Sequence, residues 1–510
     1  MFKYSYCGIE DKVDRSSLSN IMTSDGLHLH YDILLNVFGY LDQKSLGRCS
    51  MVCKIWKQAA YHTSLWSGRA FEAPLTGLTE QAALSLNERG VSAVSVNQEW
   101  QRIMPTYSDD VSYPYDWYYG GDGCTHWKIR ERHKSVFHAC SQQLTELLRS
   151  SVQMMHAKSL ILLDSPLRFN MTSDINFATL KHLGLIDCDI DLELLIETLH
   201  LMGNLVQLYI NNKNRYAESE RLWKKKDKRR FNGFNAFQDI IRSQQNLLSL
   251  ELASINWSIS FNPRSDLSFG LASKLERLVL SDTLYLDSIH LAQVTNSLQH
   301  LKHLHLKHDL HRYDSRMNAS FLSLESLTVQ FLHPSFSGSS EDQKTNCLAI
   351  FRDAQNLTAL YLQNARQQKD TDQSCVIRHV DVDRMVDLFP FLKVVNVSGC
   401  RHVVDESLEK LQYLEVLVAL DSGVTLWNSD SAMPTIDPKN LVSFLVNNSP
   451  SWIDSVKSLK YKYISYENTR GGVFRKNEDN NNWNPVNEGS KHWKEAHGWS
   501  YFHLPDEIAF

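Results

Sequence analysis

Two clusters of side chains carry the residue types of metal and proton chemistry in this chain. Cys124, His126, His133, His138 and Cys140 lie close together, and cysteine with histidine is the donor set of zinc. Their spacing matches no common zinc module, so no metal is expected there. His300, His303, His305, His308 and His311 form the second cluster. On a strand, His303 and His305 share a face, and imidazole is the side chain whose ordinary range suits proton exchange near neutral pH. Two imidazoles so placed read as polar contacts of a binding surface. The chain has no phosphate-cradling glycine loop, no nucleophile elbow and no HExxH pair. Its carboxylates are not paired for acid–base work. No catalytic residue and no cofactor is expected, and the sequence points to binding.

The bulk numbers bound that reading. With 510 residues the chain is too long for one compact core, although an elongated array of repeats escapes the limit. A net charge of -5 argues against general nucleic-acid binding, which wants a basic footprint. No apolar run approaches the ~18 residues of a membrane span, and MFKYSYCGIEDKVDR lacks the apolar stretch of a signal peptide. The nine cysteines are scattered and odd in number, which fits a reducing compartment. A cytoplasmic or nuclear location follows as an expectation, and triplets such as Asn170-Met171-Thr172 read as chance matches.

The elements that must position any binding residue come in two kinds. In residues 27–66, Leu29, Ile33, Leu34, Val37, Phe38 and Leu41 recur at helical spacing. Asp32 sits in the first turn, where the helix dipole favours a carboxylate. Leu46, Cys49 and Val52, then Cys53, Trp56 and Ala60, mark two further short helices, and Leu65 with Trp66 closes the unit. So few residues make a very small core, with more apolar surface than it can bury.

This run resembles the F-box, whose pattern is roughly L-P-x-E-I-L-x-x-I-F-x-Y-L, then Leu, V-C-x-x-W and a final L-W. Leu29, Asp32, Ile33, Leu34, Val37, Phe38, Tyr40, Leu41, Leu46, Val52, Cys53, Trp56, Leu65 and Trp66 fill its positions. His30 stands where the family has proline, a residue that pre-sets the first helical turn. The resemblance implies docking to the Skp adaptor and, through it, to a cullin-RING ubiquitin ligase. The contact candidates carried over are Leu29, Ile33, Leu34, Val37, Phe38, Leu41, Val52 and Trp56. Spacing alone does not divide those that face the adaptor from those that hold the module's own core.

From about residue 155 a second pattern begins. LKHLGLIDCDI (residues 180–190) fills the leucine-rich-repeat template at Leu180, Leu183, Leu185, Cys188 and Ile190. Further copies start at Leu205, Leu247, Leu275, Leu301, Leu324, Leu357, Leu392 and Leu414, with a degenerate first copy around Leu160 and Leu162. Helical stretches such as LELLIETLHLM run between strands. The expected fold is α/β: a leucine-rich-repeat solenoid, parallel strands on its concave face and helices on its convex face, behind an N-terminal all-α F-box module. Alternation along each strand puts the residues flanking the leucines on the concave side. Tyr209, Asn211, Glu251, Arg277, His303, His305, Lys307, Tyr361, Gln363 and Asn396 are the target-binding candidates there. Tyrosine and arginine favour the centres of interfaces. Val394, Val416, Val418 and Leu420 make the last copies look more buried, as if the C-terminal tail covered them.

The expected organisation is an N-terminal segment (1–26), the F-box (27–66), an aromatic-rich connecting or capping region (67–150), repeats (151–430) and a C-terminal cap and tail (431–510). An insertion at 212–231 holds the basic run Lys224, Lys225, Lys226, Lys228, Arg229 and Arg230, which reads as a solvated loop or a nuclear import signal. The function expected is that of a non-catalytic substrate-recognition subunit of an SCF-type ubiquitin ligase, presenting an unidentified target protein for ubiquitination and proteasomal degradation. The alternative is a repeat scaffold working outside the ligase, with the nucleus as one place for it. A small-ligand receptor ranks lower, because Arg277 and Lys307 are the only basic side chains among the concave candidates.

Overall fold

In the computed structural model, the residues described are 20–22, 28–66, 69–74, 80–97, 157–163, 179–186, 188, 195, 199–200, 202–211, 240–253, 274–281, 296–308, 321–331, 351–364, 385, 387–398, 414–419, 442–446, 458–466, 469–476 and 482–486. Residues 98–156 of the aromatic-rich region, with the cluster from Cys124 to Cys140, and also the basic run, His311 and Leu420 lie outside them.

A short antiparallel pair, β1 (Asn20–Met22) and β2 (His28–His30), precedes four helices. These are α1 (Tyr31–Gly39), α2 (Gln43–Cys49), α3 (Lys54–Ala60) and α4 (Thr63–Trp66). The chain is still extended at His30 and turns helical at Tyr31, with Asp32 in the first turn. Asp42 caps α2 by accepting from the Ser45 amide at 2.6 Å, and that bond holds its carboxyl below the usual range. Leu34 and Phe38, one helical turn apart, enter the core with Leu46, Ala59, Ala60, Leu65 and Trp66. The Phe38 and Trp56 rings meet edge to face at 5.3 Å, joining α1 to α3. Trp66 sinks its ring but satisfies its indole N–H on the Ala60 carbonyl at 2.8 Å.

The sheet follows in sequence order. It runs β3 (Ala70–Pro74), then after α5 (Glu80–Glu88) β4 (Ala93–Asn97), β5 (Ser159–Leu163), β6 (His182–Ile186), β7 (Gln207–Asn211) and β8 (Ser249–Ala253). Next come β9 (Arg277–Ser281), β10 (His303–His308), β11 (Ser326–Phe331), β12 (Ala359–Asn364), β13 (Val394–Asn396), β14 (Val416–Ala419) and β15 (Ser443–Val446). It ends with β16 (Tyr461–Tyr466), β17 (Thr469–Lys476) and β18 (Trp483–Pro485). Every pairing from β3 to β16 is parallel, while β17 and β18 turn back antiparallel.

Register is set by the repeat itself. The carbonyl just before one strand accepts two successive amides of the next repeat: Lys158 O takes Lys181 N and His182 N, and Glu276 O takes Lys302 N and His303 N. The template leucines stack behind the sheet, from Leu160 and Leu162 through Leu278 and Leu280 to Leu417, in one buried cluster that also contains Leu34 and Phe38. Cys188 tucks under its turn, its thiol directed at the Leu162 carbonyl at 3.4 Å.

The solenoid is longer at both ends than its leucines announce. The region expected to connect or cap at 67–150 contributes β3 and β4 as its first two strands. They escaped the template because FEAP and AVSVN present Phe71, Val94 and Val96 where it asks for leucine. The region expected as a cap from 431 contributes β15 and β16 in parallel register, and the β17–β18 hairpin follows.

Candidate interaction surfaces

Helix α1 has two apolar faces. Leu34 and Phe38 point inward, while Ile33 and Val37 are each 51% exposed and Tyr40 is 92% exposed. Positions 33, 37 and 40 follow the i, i+4, i+7 spacing of one helix face. Met51 and Val52, also exposed, occupy the turn between α2 and α3. A small domain that leaves this much apolar area in water marks an interaction site. The fold therefore divides the carried-over candidates. Leu34 and Phe38 belong to the core; Leu41 and Trp56 are partly buried and packed on it; Ile33, Val37 and Val52 face solvent. Leu29 lies on β2. Tyr40 and Met51 join the exposed set. Tyr40 filled its place in the motif without being read as a contact, and its helical phase with Ile33 and Val37 was the signal available.

The face of the sheet opposite the leucines is ordered in ranks by register. One rank runs Tyr209, Glu251, Val279, His305, Thr328, Tyr361, Asn396. Its neighbour runs Gln207, Ser249, Arg277, His303, Ser326, Ala359, Val394. Asn211 and Lys307 lie on a third rank, which Gln363 continues on β12. Arg277 is only 8% exposed. Its guanidinium donates to the Ser249 hydroxyl at 3.1 Å and to Glu251 Oε2 at 3.0 Å. Burial pushes the Glu251 carboxyl above its usual range, against the charge of Arg277, which pulls it down. His303 shares a hydrogen bond with the Ser326 hydroxyl at 2.8 Å, and Asn211 donates to the Tyr209 hydroxyl at 2.9 Å.

The ranks change character along the sheet. Tyr209, Asn211, Glu251, His303 and His305 are half-exposed. Tyr361 and Asn396 are buried, and Tyr361 joins Val394, Val416, Val418, Leu445, Tyr461 and Val473 in a second apolar cluster against which Val486 packs. The C-terminal third of this face is thus filled, in part by the chain's own final hairpin. Accessible polar groups concentrate on β6 to β10. Strands are about 4.8 Å apart, so this window is roughly 20 Å across. At its start His182 is half-buried, and desolvation followed by the charge of Lys181 holds its imidazole below the usual value. Among the described residues no three His, Cys, Asp or Glu side chains converge as a metal would need.

Comparison with known proteins bears on the helical module. A family model described as F-box-like matches residues 29–72. F-box/LRR-repeat protein 5 of Xenopus tropicalis is 36% identical over 66 residues, 13% of this chain and 10% of that protein. F-box/WD repeat-containing protein 8 of Homo sapiens is 48% identical over 40 residues, 8% of this chain and 7% of that protein. The matches thus span a tenth or less of the length of these curated relatives. Among solved structures, an internalin from Listeria monocytogenes aligns over 65% of this chain and 94% of its own, at 15% identity and a TM-score of 0.34. Residues 29–72 are an F-box-like domain, and the leucine-rich-repeat character of the sheet rests on its own register.

Proposed function

We propose that this protein is the substrate-recognition subunit of an SCF-type ubiquitin ligase. The observation that carries the reading is the solvent-facing apolar row Ile33, Val37 and Tyr40 on an F-box-like domain. That row seats the Skp adaptor, which bridges to the cullin. The half-exposed side chains Tyr209, Asn211, Glu251, His303 and His305 hold the target protein. The chain supplies position rather than bond chemistry: a target lysine kept near the charged conjugating enzyme reacts at a raised effective concentration. Ubiquitination then directs the target to degradation in the cytoplasm or nucleus.

Purified protein carrying Ile33→Asp and Val37→Asp together tests the first half. Both side chains are exposed, so the fold is kept, while recovery of the purified Skp adaptor falls to background. Undiminished recovery would sink the assignment. For the second half, affinity capture with ligase activity blocked compares the intact protein with variants at Tyr209 and His305. Proteins held by the former and lost by the latter are the targets.

A further inference from the structure

We propose a second task for the F-box-like domain: it closes the first edge of the repeat sheet, with the Gln43 side chain standing in for a missing strand. A parallel array of repeats has an open strand at each end, and an open strand invites pairing with another chain. At this end the open strand is β3, which among the described residues pairs with β4 alone. The N–H and C=O of one strand residue project to the same side, and those of Glu72 meet Gln43. The Gln43 amide donates to the Glu72 carbonyl at 2.9 Å, and the Glu72 amide donates back to Gln43 Oε1 at 3.0 Å. A primary amide is a peptide group on a side chain, so this reciprocal pair reproduces one rung of a strand ladder.

The neighbourhood holds the rung in place. Arg69, one residue before β3, donates to the carbonyls of Leu41 and Gly39, which are left over where α1 ends. Trp66 and Phe71 pack at 6.1 Å across the junction. Just past α5, Arg89 lies over the Tyr61 ring at 3.7 Å, with the Trp66 ring at 5.7 Å. Helices and sheet share one buried cluster from Leu34 to Leu459. At the far end of the sheet, the β17–β18 hairpin follows the last parallel strand. Each end of the sheet therefore has its own finishing element, and at the first end that element is the F-box-like domain. None of these contacts uses Ile33, Val37 or Tyr40, so this second task is independent of adaptor docking.

The test uses the full chain with Gln43→Ala and Gln43→Glu. Hydrogen exchange at the Glu72 amide is expected to quicken about tenfold in Gln43→Ala, as for loss of one ordinary hydrogen bond. Sedimentation is expected to show concentration-dependent self-association through the bared edge. Adaptor recovery should not change. Gln43→Glu keeps the acceptor and loses the donor, so Glu72 exchange should stay closer to the unaltered protein. Unchanged exchange in Gln43→Ala overturns the proposal, as does quickened exchange in a protein that stays monomeric at every concentration.

Discussion

The N-terminal helices keep apolar side chains in water, whereas the sheet keeps polar ones out of it. Ile33, Val37, Tyr40, Met51 and Val52 are exposed, while Arg277, Ser249, Ser326, Thr328 and Asn396 are buried. Each group departs from the ordinary sorting of residues, and the two departures differ in meaning. An exposed apolar row costs little in the isolated protein and becomes useful when a partner covers it. A buried polar rank must be satisfied within the chain, and here hydroxyls and an ion pair do so. The first surface is poised for docking. The second is organised before any partner arrives.

The sharpest test sets the two faces of α1 against each other. Phe38→Ala removes a fully buried ring and its contact with Trp56, and should cost about 3–5 kcal/mol in denaturant unfolding. Val37→Asp, one residue away, should stay within roughly 0.5 kcal/mol of the unaltered protein. Equal losses would erase the distinction between the faces. On the sheet, Glu251→Ala strands the Arg277 guanidinium away from water and should cost about 3 kcal/mol. Pairing Glu251→Leu with Arg277→Met should recover most of that, and a double-mutant cycle reads the coupling.

Smaller effects probe the supports of each region. Gly90 ends α5 with φ +75°, and a Cβ there would meet only Thr63 at 3.8 Å. Gly90→Ala should therefore cost about 1 kcal/mol through backbone conformation rather than crowding. The least effect belongs to His182. Its folded pKa lies below 6.5, so between the two values the unfolded chain binds more protons. Stability should rise with pH through that window and be lost as pH falls from about 6.5. Melting His182→Gln beside the unaltered protein between about pH 5 and pH 7 should show a flatter dependence.

The consequence of edge closure reaches experimental design. Cutting out residues 27–66 to silence the adaptor surface also removes Gln43, Leu41 and Trp66 from the base of the sheet. Point changes at Ile33 and Val37 silence one region and spare the other.

Much of this was legible in the chain. Leucines at the fixed spacing within each copy specify a parallel repeat because each strand repeats the same inward and outward alternation. The helical spacing of Leu29 to Leu41 and the V-C-x-x-W run specify the helical module in the same local way. The first two strands were not legible, because Phe71 and Val94 pack where leucine was sought. The state of Tyr361 and Asn396 was not legible either. Both sit at positions equivalent to Tyr209, yet they are buried and Tyr209 is half-exposed.

The sequence by itself determined which residues share a face, since helical and strand periods are properties of the backbone. Only the tertiary structure decided which face meets water. That choice depends on segments far apart in the chain: α3 and α4 against α1, Gln43 against Glu72, Val486 against the last ranks of the sheet. Burial is a property of what lies opposite a residue, and no local spacing records it.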